Sequence, residues 1–226
     1  MNEKVIRQFN EVAHKYDEQR RLLIPCFDDF YGTAVRWAQT DKPSPRILDL
    51  GAGTGLLAEG MRTKYPACKL TLIDLGDKML DIAKQRFAAV EEIEYIVADY
   101  TEYPFEHKFD LIVSSLSIHH LTHEAKQTLF HRIYGLLEDG GLFINADQVM
   151  GETHAVDQLY KQMWVQWIRT NGISTEAADA SIERRKLDIN AKAWDQLRWL
   201  QEAGFQESDC VYKYQDFAVF YAKKSE

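Results

Sequence analysis

The sequence predicts an α/β fold with a doubly wound, mostly parallel β-sheet. Between residues 46 and 150, short apolar runs of strand length alternate with helical stretches of about 10 to 15 residues, a pattern typical of βαβ units with helices on both faces. A glycine-rich loop directly follows the first of these strands. Two further strand-like runs near the end of the chain predict an antiparallel hairpin at the sheet edge.

We expect one domain, residues 1–226, built from four parts. These are a helical cap (1–40), an alternating core (46–150), a helical insertion (151–203) and a terminal hairpin (204–226). Pro25 divides the cap into two helices, and Gly204 is a plausible C-terminal cap for the insertion. Four of the five tryptophans lie in the insertion, where they either pack between helices or form the aromatic walls of a lid.

The elements of the core and the hairpin follow in chain order. Strands are predicted at 47–50, 69–74, 94–98, 110–115 and 142–146, and helices at 56–64, 78–89 and 123–137. The hairpin strands are predicted at 208–214 and 217–221, with a turn at Gln215 and Asp216.

Composition excludes several classes of protein. The chain has 46% hydrophobic residues and a net charge of −8, so we expect no broad basic surface for duplex nucleic acid. Its three cysteines lie far apart, which argues against a disulfide framework or a zinc ribbon. The first ten residues carry charges, and no apolar run of about 18 residues occurs. We therefore expect no signal peptide, no membrane association and a cytoplasmic location.

The loop Asp49-Leu-Gly-Ala-Gly-Thr-Gly55 connects the first strand to a helix. Its glycines allow a sharp turn and a close approach to a ligand, and the helix that follows presents unpaired N–H groups. Leu56 occupies the position where a dinucleotide fingerprint has its third glycine. The loop therefore favours a nucleoside over a pyrophosphate.

Carboxylates follow the next two strands. Asp74 closes the second strand, where it can accept hydrogen bonds from both hydroxyls of a ribose. Asp99 and Tyr100 follow the third strand, where an acid can meet the amine of an adenine and a phenol can lie against its ring. Each acid alone could be a helix cap or a solvated loop residue. The glycine loop after Asp49, Asp74 and Asp99 together lie at the ends of three successive strands, and this combination predicts a nucleoside site.

These segments resemble the class I S-adenosylmethionine (SAM) dependent methyltransferases. The resemblance covers residues 46–149 through LDLGAGTG, LIDLGDKML, VADY, FDLIVSSLSIHHL and LLEDGGLFINAD, in the order of the family. It implies a Rossmann-like sheet of seven strands with the last strand antiparallel, SAM as cofactor and S-adenosylhomocysteine (SAH) as product. The cofactor-binding positions that it implies are Asp49, Gly51, Ala52, Gly53, Asp74, Leu75, Met79, Asp99, Tyr100 and Ser115.

The ends of the chain are also similar to a narrower branch, the carboxy-SAM synthases of tRNA wobble-uridine modification. The similar segments are Ile24-Pro-Cys-Phe27, the insertion run 183–187 and Glu202-Ala-Gly-Phe205. In that branch an arginine of the insertion binds the extra carboxylate, and the resemblance places Arg185 there. Ser115 replaces the asparagine of the branch, and two histidines at 119 and 120 replace its Gln-Phe pair, so methyl transfer is the favoured reading.

The acceptor side is less well defined by the sequence. His119 follows the fourth strand and could accept a proton from a hydroxyl or amine, or it could make local hydrogen bonds at a helix entry. A metal site of His119 and His123 lacks an obvious third ligand, so we predict none. Asp147 could orient an amine substrate or cap the next helix.

Further substrate contacts are expected from the cap and the insertion. Arg20 and Arg185 belong to basic runs that are either solvated or aimed at a carboxylate. Tyr16 resembles the tyrosine that many small-molecule methyltransferases place over the cofactor, and packing within a helix is its alternative. An enclosed site in an acidic chain favours a small-molecule substrate.

Three alternatives to methyl transfer stay open at this point. They are a carboxy-SAM synthase-like activity, a catalytically silent SAM-binding module and, less well supported, a nicotinamide dehydrogenase. The sequence also leaves a homodimer open.

Overall fold

The computed structural model describes residues 16–225. The strands are β1 (Arg46–Leu50), β2 (Lys69–Asp74), β3 (Ile93–Val97), β4 (Phe109–Ser115), β5 (Leu137–Gln148), β6 (Glu207–Tyr214) and β7 (Phe217–Lys223). The helices are α1 (Tyr16–Leu23), α2 (Phe27–Trp37), α3 (Leu56–Lys64), α4 (Asp77–Arg86), α5 (His123–Leu136), α6 (His154–Thr170), α7 (Thr175–Arg185) and α8 (Ala193–Glu202). The predicted helical segment before residue 16 lies outside the described residues.

The strands form one seven-stranded sheet in the order β3-β2-β1-β4-β5-β7-β6. The first five strands are parallel, while β7 pairs antiparallel with both β5 and β6. This confirms the predicted doubly wound α/β sheet with its terminal hairpin. The strand order reverses between β1 and β4, which is the position where open α/β sheets bind ligands at the carboxyl ends of their strands.

Most predicted elements lie within a few residues of the observed ones, and β5 differs most. It extends over 12 residues from Leu137, whereas the sequence predicts only residues 142–146. The predicted strand misses its first part because Asp139 and two glycines interrupt the apolar run, and Gly140 has a positive φ of 73°. The pairing of β4 with β5 is irregular at this point, so the strand continues through a bulge.

Helices cover both faces of the sheet, and each face has its own apolar core. Ile47 points to the face covered by α2, α3 and α4, while Leu48 and Leu50 point to the face covered by α5 and α8. This alternation is the period of two that strands impose. Both faces of the parallel strands are buried, which explains why β1 reads as an almost continuous apolar run.

The insertion folds back onto the N-terminal cap. The indole N–H groups of Trp164 and Trp167 in α6 donate to the carbonyls of Leu23 and Leu22, at 2.8 and 3.0 Å. The cap and the insertion therefore form one cover, called the lid below, over the carboxyl ends of β4 and β5. Within residues 16–225, no helix combines the length and the apolar character needed to cross a bilayer.

Candidate functional site

The glycine loop turns sharply at the end of β1. Gly51 and Ala52 donate their backbone N–H groups to the carbonyl of Ile73, at 2.9 and 3.1 Å, which fixes the loop to β2. Gly51 has a φ of 68°, and a Cβ atom there would lie 1.9 Å from the Ser117 hydroxyl oxygen. Only glycine fits this position, both because of the backbone conformation and because of the space.

Asp49 carries a buried carboxylate just before the loop. Its residue is 1% exposed, and neither carboxylate oxygen has a hydrogen-bond partner of normal geometry among the described residues. Burial, and to a smaller extent the nearby charge of Asp74, raise the pKa of the Asp49 carboxyl to about 8. A buried polar group of this kind is costly unless a ligand compensates it.

Asp74 and Asp99 lie at the ends of β2 and β3, as the sequence predicts. The carboxylate of Asp74 accepts hydrogen bonds from the backbone N–H groups of Gly53 and Gly76, at 2.9 and 2.7 Å. Burial raises the pKa of Asp74, although these hydrogen bonds oppose the shift. Burial alone would also raise the pKa of Asp99. The hydrogen bonds that the hydroxyl and backbone amide of Thr101 donate to its carboxylate oppose burial, and the pKa of Asp99 is lowered.

The remaining predicted cofactor residues surround the same edge. Met79 is buried against the loop, where its methyl group would be 3.3 Å from a Cβ on Gly53. Leu75 is half-buried directly after β2. Tyr100 is 2% exposed, and its hydroxyl lies 3.0 Å from the Ser117 hydroxyl, so it lies beneath Gly51. The predicted contact of Tyr100 with an adenine ring stays a prediction.

The lid is attached to the glycine loop by an ionic contact. Asp17 of α1 accepts a hydrogen bond from the Thr54 hydroxyl at 2.6 Å and pairs with Arg86 of α4. Arg86 also donates from Nε to the Thr54 carbonyl at 2.9 Å. The N-terminal cap therefore meets the predicted cofactor loop directly.

The other half of the site lies at the ends of β4 and β5. The side chain of His119 is 3% exposed and donates from Nδ1 to the Asp147 carboxylate at 2.5 Å, and the backbone N–H of His119 donates to the same carboxylate at 2.9 Å. Both oxygens of Asp147 thus hold His119. The alternative role of Asp147 as a helix cap is wrong, because the Thr153 side chain caps α6. The substrate-binding role of Asp147 stays a prediction.

Asp188, which the sequence did not identify, faces both histidines. Its Oδ1 lies 3.5 Å from His119 Nε2 and 3.2 Å from His120 Nδ1. Burial alone would lower the pKa of His119, but the carboxylates of Asp147 and Asp188 outweigh it and raise this pKa to about 9. Burial and the charge of His119 lower the pKa of His120 to about 4. The predicted general-base role of His119 stays a prediction.

The insertion is held against these histidines by backbone contacts. The Ile189 N–H donates to the His119 carbonyl at 3.0 Å. The ammonium group of Lys126, buried within α5, donates to the carbonyls of His119, Leu121 and Ile189. Burial lowers the pKa of Lys126 to about 8. Lys126 therefore positions the segment that carries Asp188.

A cavity of about 50 Å³ separates the lid from the strand ends. The basic runs of the sequence divide at this cavity, since Arg20, Arg184 and Arg185 line it while Arg21 and Lys186 form exposed ion pairs. Burial lowers the pKa of Arg20 to about 10. Arg20 and Arg185, the two arginines predicted to contact a substrate, therefore lie at the cavity. Their contact with a substrate stays a prediction.

Arg185 is already engaged within the protein. Its Nη2 group pairs with Asp216 in the hairpin turn, and its guanidinium lies 4.2 Å above the centre of the Trp164 ring. Its Nη1 group is buried and has no hydrogen-bond partner among the described residues. Of the tryptophans in the insertion, Trp164 lines the cavity, whereas Trp199 packs in the core and Trp194 is exposed.

Ser115 and Tyr16 are the two predicted site residues not yet described. Ser115 ends β4 half-buried and interacts with the phenol of Tyr31, which burial gives a raised pKa. The side chain of Tyr16 lies outside what the structure describes.

His123 points to the Asn190 carbonyl at 3.4 Å, away from His119, so these two histidines do not share a site. Lys126 and Asp188 are the residues that sequence reasoning missed.

Comparison with known proteins identifies the fold and its relatives. A family model described as a methyltransferase domain matches residues 47–141. The chain is 28% identical to the carboxy-S-adenosyl-L-methionine synthase of Trichodesmium erythraeum, over 96% of this chain and 87% of the relative. It is also 31% identical to malonyl-[acyl-carrier protein] O-methyltransferase 1 of Ilyobacter polytropus, over 61% of this chain and 49% of the relative.

Solved structures share the architecture at low sequence identity. Human N-acetylserotonin methyltransferase in complex with SAM superimposes with a TM-score of 0.60 and 20% identity. The match covers 88% of this chain, which spans only 53% of the length of the human chain. Residues 47–141 match the methyltransferase-domain family on a sheet of the order β3-β2-β1-β4-β5-β7-β6, and the chain has distant end-to-end similarity to carboxy-SAM synthases.

Proposed function

We propose that this chain transfers a methyl group from SAM to a small molecule bound beneath the lid. The observation that carries the proposal is the buried Asp49 carboxylate beside the glycine loop, with Asp74 close enough to raise its pKa further. Two neighbouring carboxylates in a poorly solvated crevice are stabilised by a cationic ligand. SAM is such a ligand, because its sulfonium and its amino group carry positive charge.

The residues around the loop fit the parts of SAM. Asp74 would accept hydrogen bonds from the ribose hydroxyls, and Asp99 with the adjoining backbone would meet the adenine. Gly51 and Gly53 would allow the methionine part to pass close to the backbone. When bound, SAM supplies a methyl group that is already activated on its sulfur. The protein then has to align the acceptor and exclude water, which are the tasks of the lid.

The cavity beneath the lid supports a small, anionic acceptor. A single water needs roughly 10 to 15 Å³ by the same measure, so about 50 Å³ holds a group of only a few heavy atoms. Three guanidinium groups line this space, and arginine binds carboxylates in a two-pronged geometry. Asp188 and Asp216 balance part of the positive charge, so one carboxylate fits better than several. A larger acceptor requires movement of the lid.

Calorimetric titration with SAM, SAH and NADH tests the cofactor assignment on protein that mass spectrometry has found free of ligand. We expect micromolar binding of SAM and SAH and none of NADH. Asp74→Ala should weaken SAM binding by about 1.5 to 3 kcal/mol, since it removes a charged hydrogen-bond acceptor. Asp81→Asn is the matched control, because Asp81 is exposed on α4 and pairs with the exposed Lys84. Binding of NADH but not SAM, or an unchanged affinity in Asp74→Ala, would contradict the assignment.

A carboxy-SAM synthase-like activity is the second candidate. End-to-end similarity to those enzymes favours it, as does the buried Nη1 group of Arg185 at the cavity. The pairing of Arg185 with Asp216 leaves that arginine partly neutralised. Mass analysis of the copurified ligand separates the two candidates. A ligand heavier than SAM by one carboxyl group would favour this second candidate, and unmodified SAM or SAH would favour methyl transfer.

A further inference from the structure

We propose that His119, His120 and Asp188 form a binding site for a divalent transition-metal ion, with zinc as the reference ion, at the acceptor cavity. One ligand atom from each residue lies within 4.8 Å of the others. Two imidazoles and one carboxylate are a donor set that suits zinc and its neighbours in the first transition row. The site adds a metal to a fold whose proposed methyl transfer does not require one.

The two distances from Asp188 to the histidines are close to those of metal coordination. Bonds of about 2.0 to 2.1 Å in a tetrahedral arrangement separate the ligand atoms by roughly 3.3 to 3.4 Å. Asp188 Oδ1 lies 3.5 Å from His119 Nε2 and 3.2 Å from His120 Nδ1. All three ligand atoms lie within 4.8 Å of one another, so an ion among them would require the two imidazoles to close in on it.

Asp147 orients the first ligand as an outer-shell group does in metalloproteins. It binds His119 Nδ1 at 2.5 Å and so directs Nε2 of the same ring toward Asp188. Metal-binding histidines commonly contact a carboxylate through their second nitrogen. The Asp147 carboxylate also accepts the backbone N–H groups of His119 and Gln148, both at 2.9 Å, which fixes its own position.

The three candidate ligands come from segments that the fold locks together. The two histidines lie in the turn Ile118–His120 after β4, while Asp188 follows α7. The hydrogen bond from the Ile189 N–H to the His119 carbonyl and the three donated by Lys126 hold these segments in register. The side chains are only 3%, 4% and 5% exposed, so the arrangement is not a chance cluster on an open surface.

The site also leaves room for a further ligand. His119, His120 and Asp188 line the cavity, and three protein ligands with one open position are typical of catalytic zinc sites. The Gln148 amide lies 3.3 Å from His119 Nε2, and its Oε1 atom has no hydrogen-bond partner among the described residues. A hydroxyl, thiol or carboxylate of the acceptor could complete the coordination. That use of the metal would rest on the proposed function, whereas metal binding itself does not.

A network of ion pairs without metal is the rival arrangement. The carboxylate of Asp188 also interacts electrostatically with Arg20 and Arg184, and these cations disfavour a further positive charge. Asp147 and Asp188 together supply two negative charges next to the imidazoles, which compensates for this. Metal analysis decides between the two arrangements directly.

The test uses the full-length protein, freed of metal by a chelator and then titrated with Zn²⁺, with the metal content measured by mass spectrometry. We expect one equivalent of Zn²⁺ per chain. His120→Gln and Asp188→Asn should each weaken binding by roughly 100-fold or more, because each removes one of three ligands. Asp147→Asn should weaken it by about 10- to 100-fold through the orientation of His119. His131→Gln is the matched control, because His131 is exposed on α5 and should bind like wild type.

Two further measurements keep the result interpretable. Circular dichroism of each variant reports whether it is folded, and titration with SAM separates failure of the metal site from failure of the cofactor assignment. Co²⁺ in place of Zn²⁺ should give the visible absorption of imidazole coordination in the unmodified protein. Absence of stoichiometric metal from wild type, or equal affinity in wild type, His120→Gln and Asp188→Asn, would overturn the site in favour of the ion-pair network.

Discussion

The two halves of the site are built by different means. The half at β1, β2 and β3 consists of residues at three successive strand ends that are held by backbone contacts, such as the bond from Gly53 to Asp74. The half at β4 and β5 combines side chains from four distant segments, with Arg20 from the cap, His119 after β4, Asp147 in β5 and Asp188 in the insertion.

Specificity can therefore change more readily in the acceptor half than in the cofactor half. The glycine loop is restricted by its own backbone, because a side chain at Gly51 would collide with Ser117. The acceptor half depends on side-chain contacts between the lid and the sheet, such as the pair of Arg185 and Asp216. One cofactor half can therefore serve many acceptors when the lid is replaced, which is consistent with the variety of functions that one fold can host.

The largest effect on stability is expected from loss of the buried ion pair between Arg185 and Asp216 in the acceptor half. Asp216→Ala leaves the buried Arg185 without its counter-ion and should lower the free energy of unfolding by about 3 to 5 kcal/mol. SAM affinity, measured well below the melting temperature, should stay within a factor of about two of wild type. Glu183→Gln removes an exposed pair with Lys186 and should cost less than about 1 kcal/mol. Urea unfolding measures both free energies. Similar losses of free energy of unfolding in Asp216→Ala and Glu183→Gln would show that the lid does not depend on the buried ion pair.

The next effect tests the backbone restriction of the cofactor half. Gly51→Ala combines a positive φ with a collision, so we expect a loss of roughly 2 kcal/mol in stability and little measurable SAM binding. Gly135→Ala is the control, because its Cβ would meet nothing within 4 Å inside α5. That change should stabilise the protein by about 0.5 to 1 kcal/mol. Normal SAM binding by Gly51→Ala would show that the backbone at Gly51 does not restrict the cofactor half.

The pH dependence of SAM affinity tests the buried Asp49. The pKa of Asp49 is raised to about 8, so the free protein holds this group neutral at lower pH, and a cationic ligand that favours the ionised form must displace the proton. Affinity should therefore rise with pH by up to roughly tenfold per unit and level off above about pH 8. Asp49→Asn should lack this slope. Subtracting the pH profile of Asp49→Asn from that of wild type removes the contribution of the ionisation of SAM itself. Equal slopes in the two proteins would contradict the role of Asp49.

The smallest effect concerns the contact between the two halves. Asp17→Asn weakens the ion pair with Arg86 and should lower stability by about 1 kcal/mol, with a several-fold faster release of SAM. Lys84→Gln, which breaks an exposed pair with Asp81, is its control. Stopped-flow release of SAM measures the change. Unaltered release by Asp17→Asn would mean that the cap does not cover the cofactor loop.

Sequence reasoning was more successful for the order of the fold than for the acceptor half of the site, and the reason is physical. Strands, glycine loops and helix ends leave local patterns, so the order of the core, the hairpin turn at Gln215 and the cap at Gly204 were predicted correctly. Asp188 leaves no such signal, because its partners His119 and His120 lie almost 70 residues away. The pairing of Arg185 with Asp216 was also not apparent, since the two meet only after the lid folds over the hairpin.

The most direct test of the division into two halves is a crystal structure of the protein with SAH. We predict that the ribose hydroxyls lie within hydrogen-bond distance of Asp74, with the adenine toward Asp99 and the homocysteine part beside Asp49 and the glycine loop. The cavity of Arg20, His119 and Asp188 should then remain open for an acceptor. SAH bound within that cavity, or its ribose placed away from Asp74, would contradict the account.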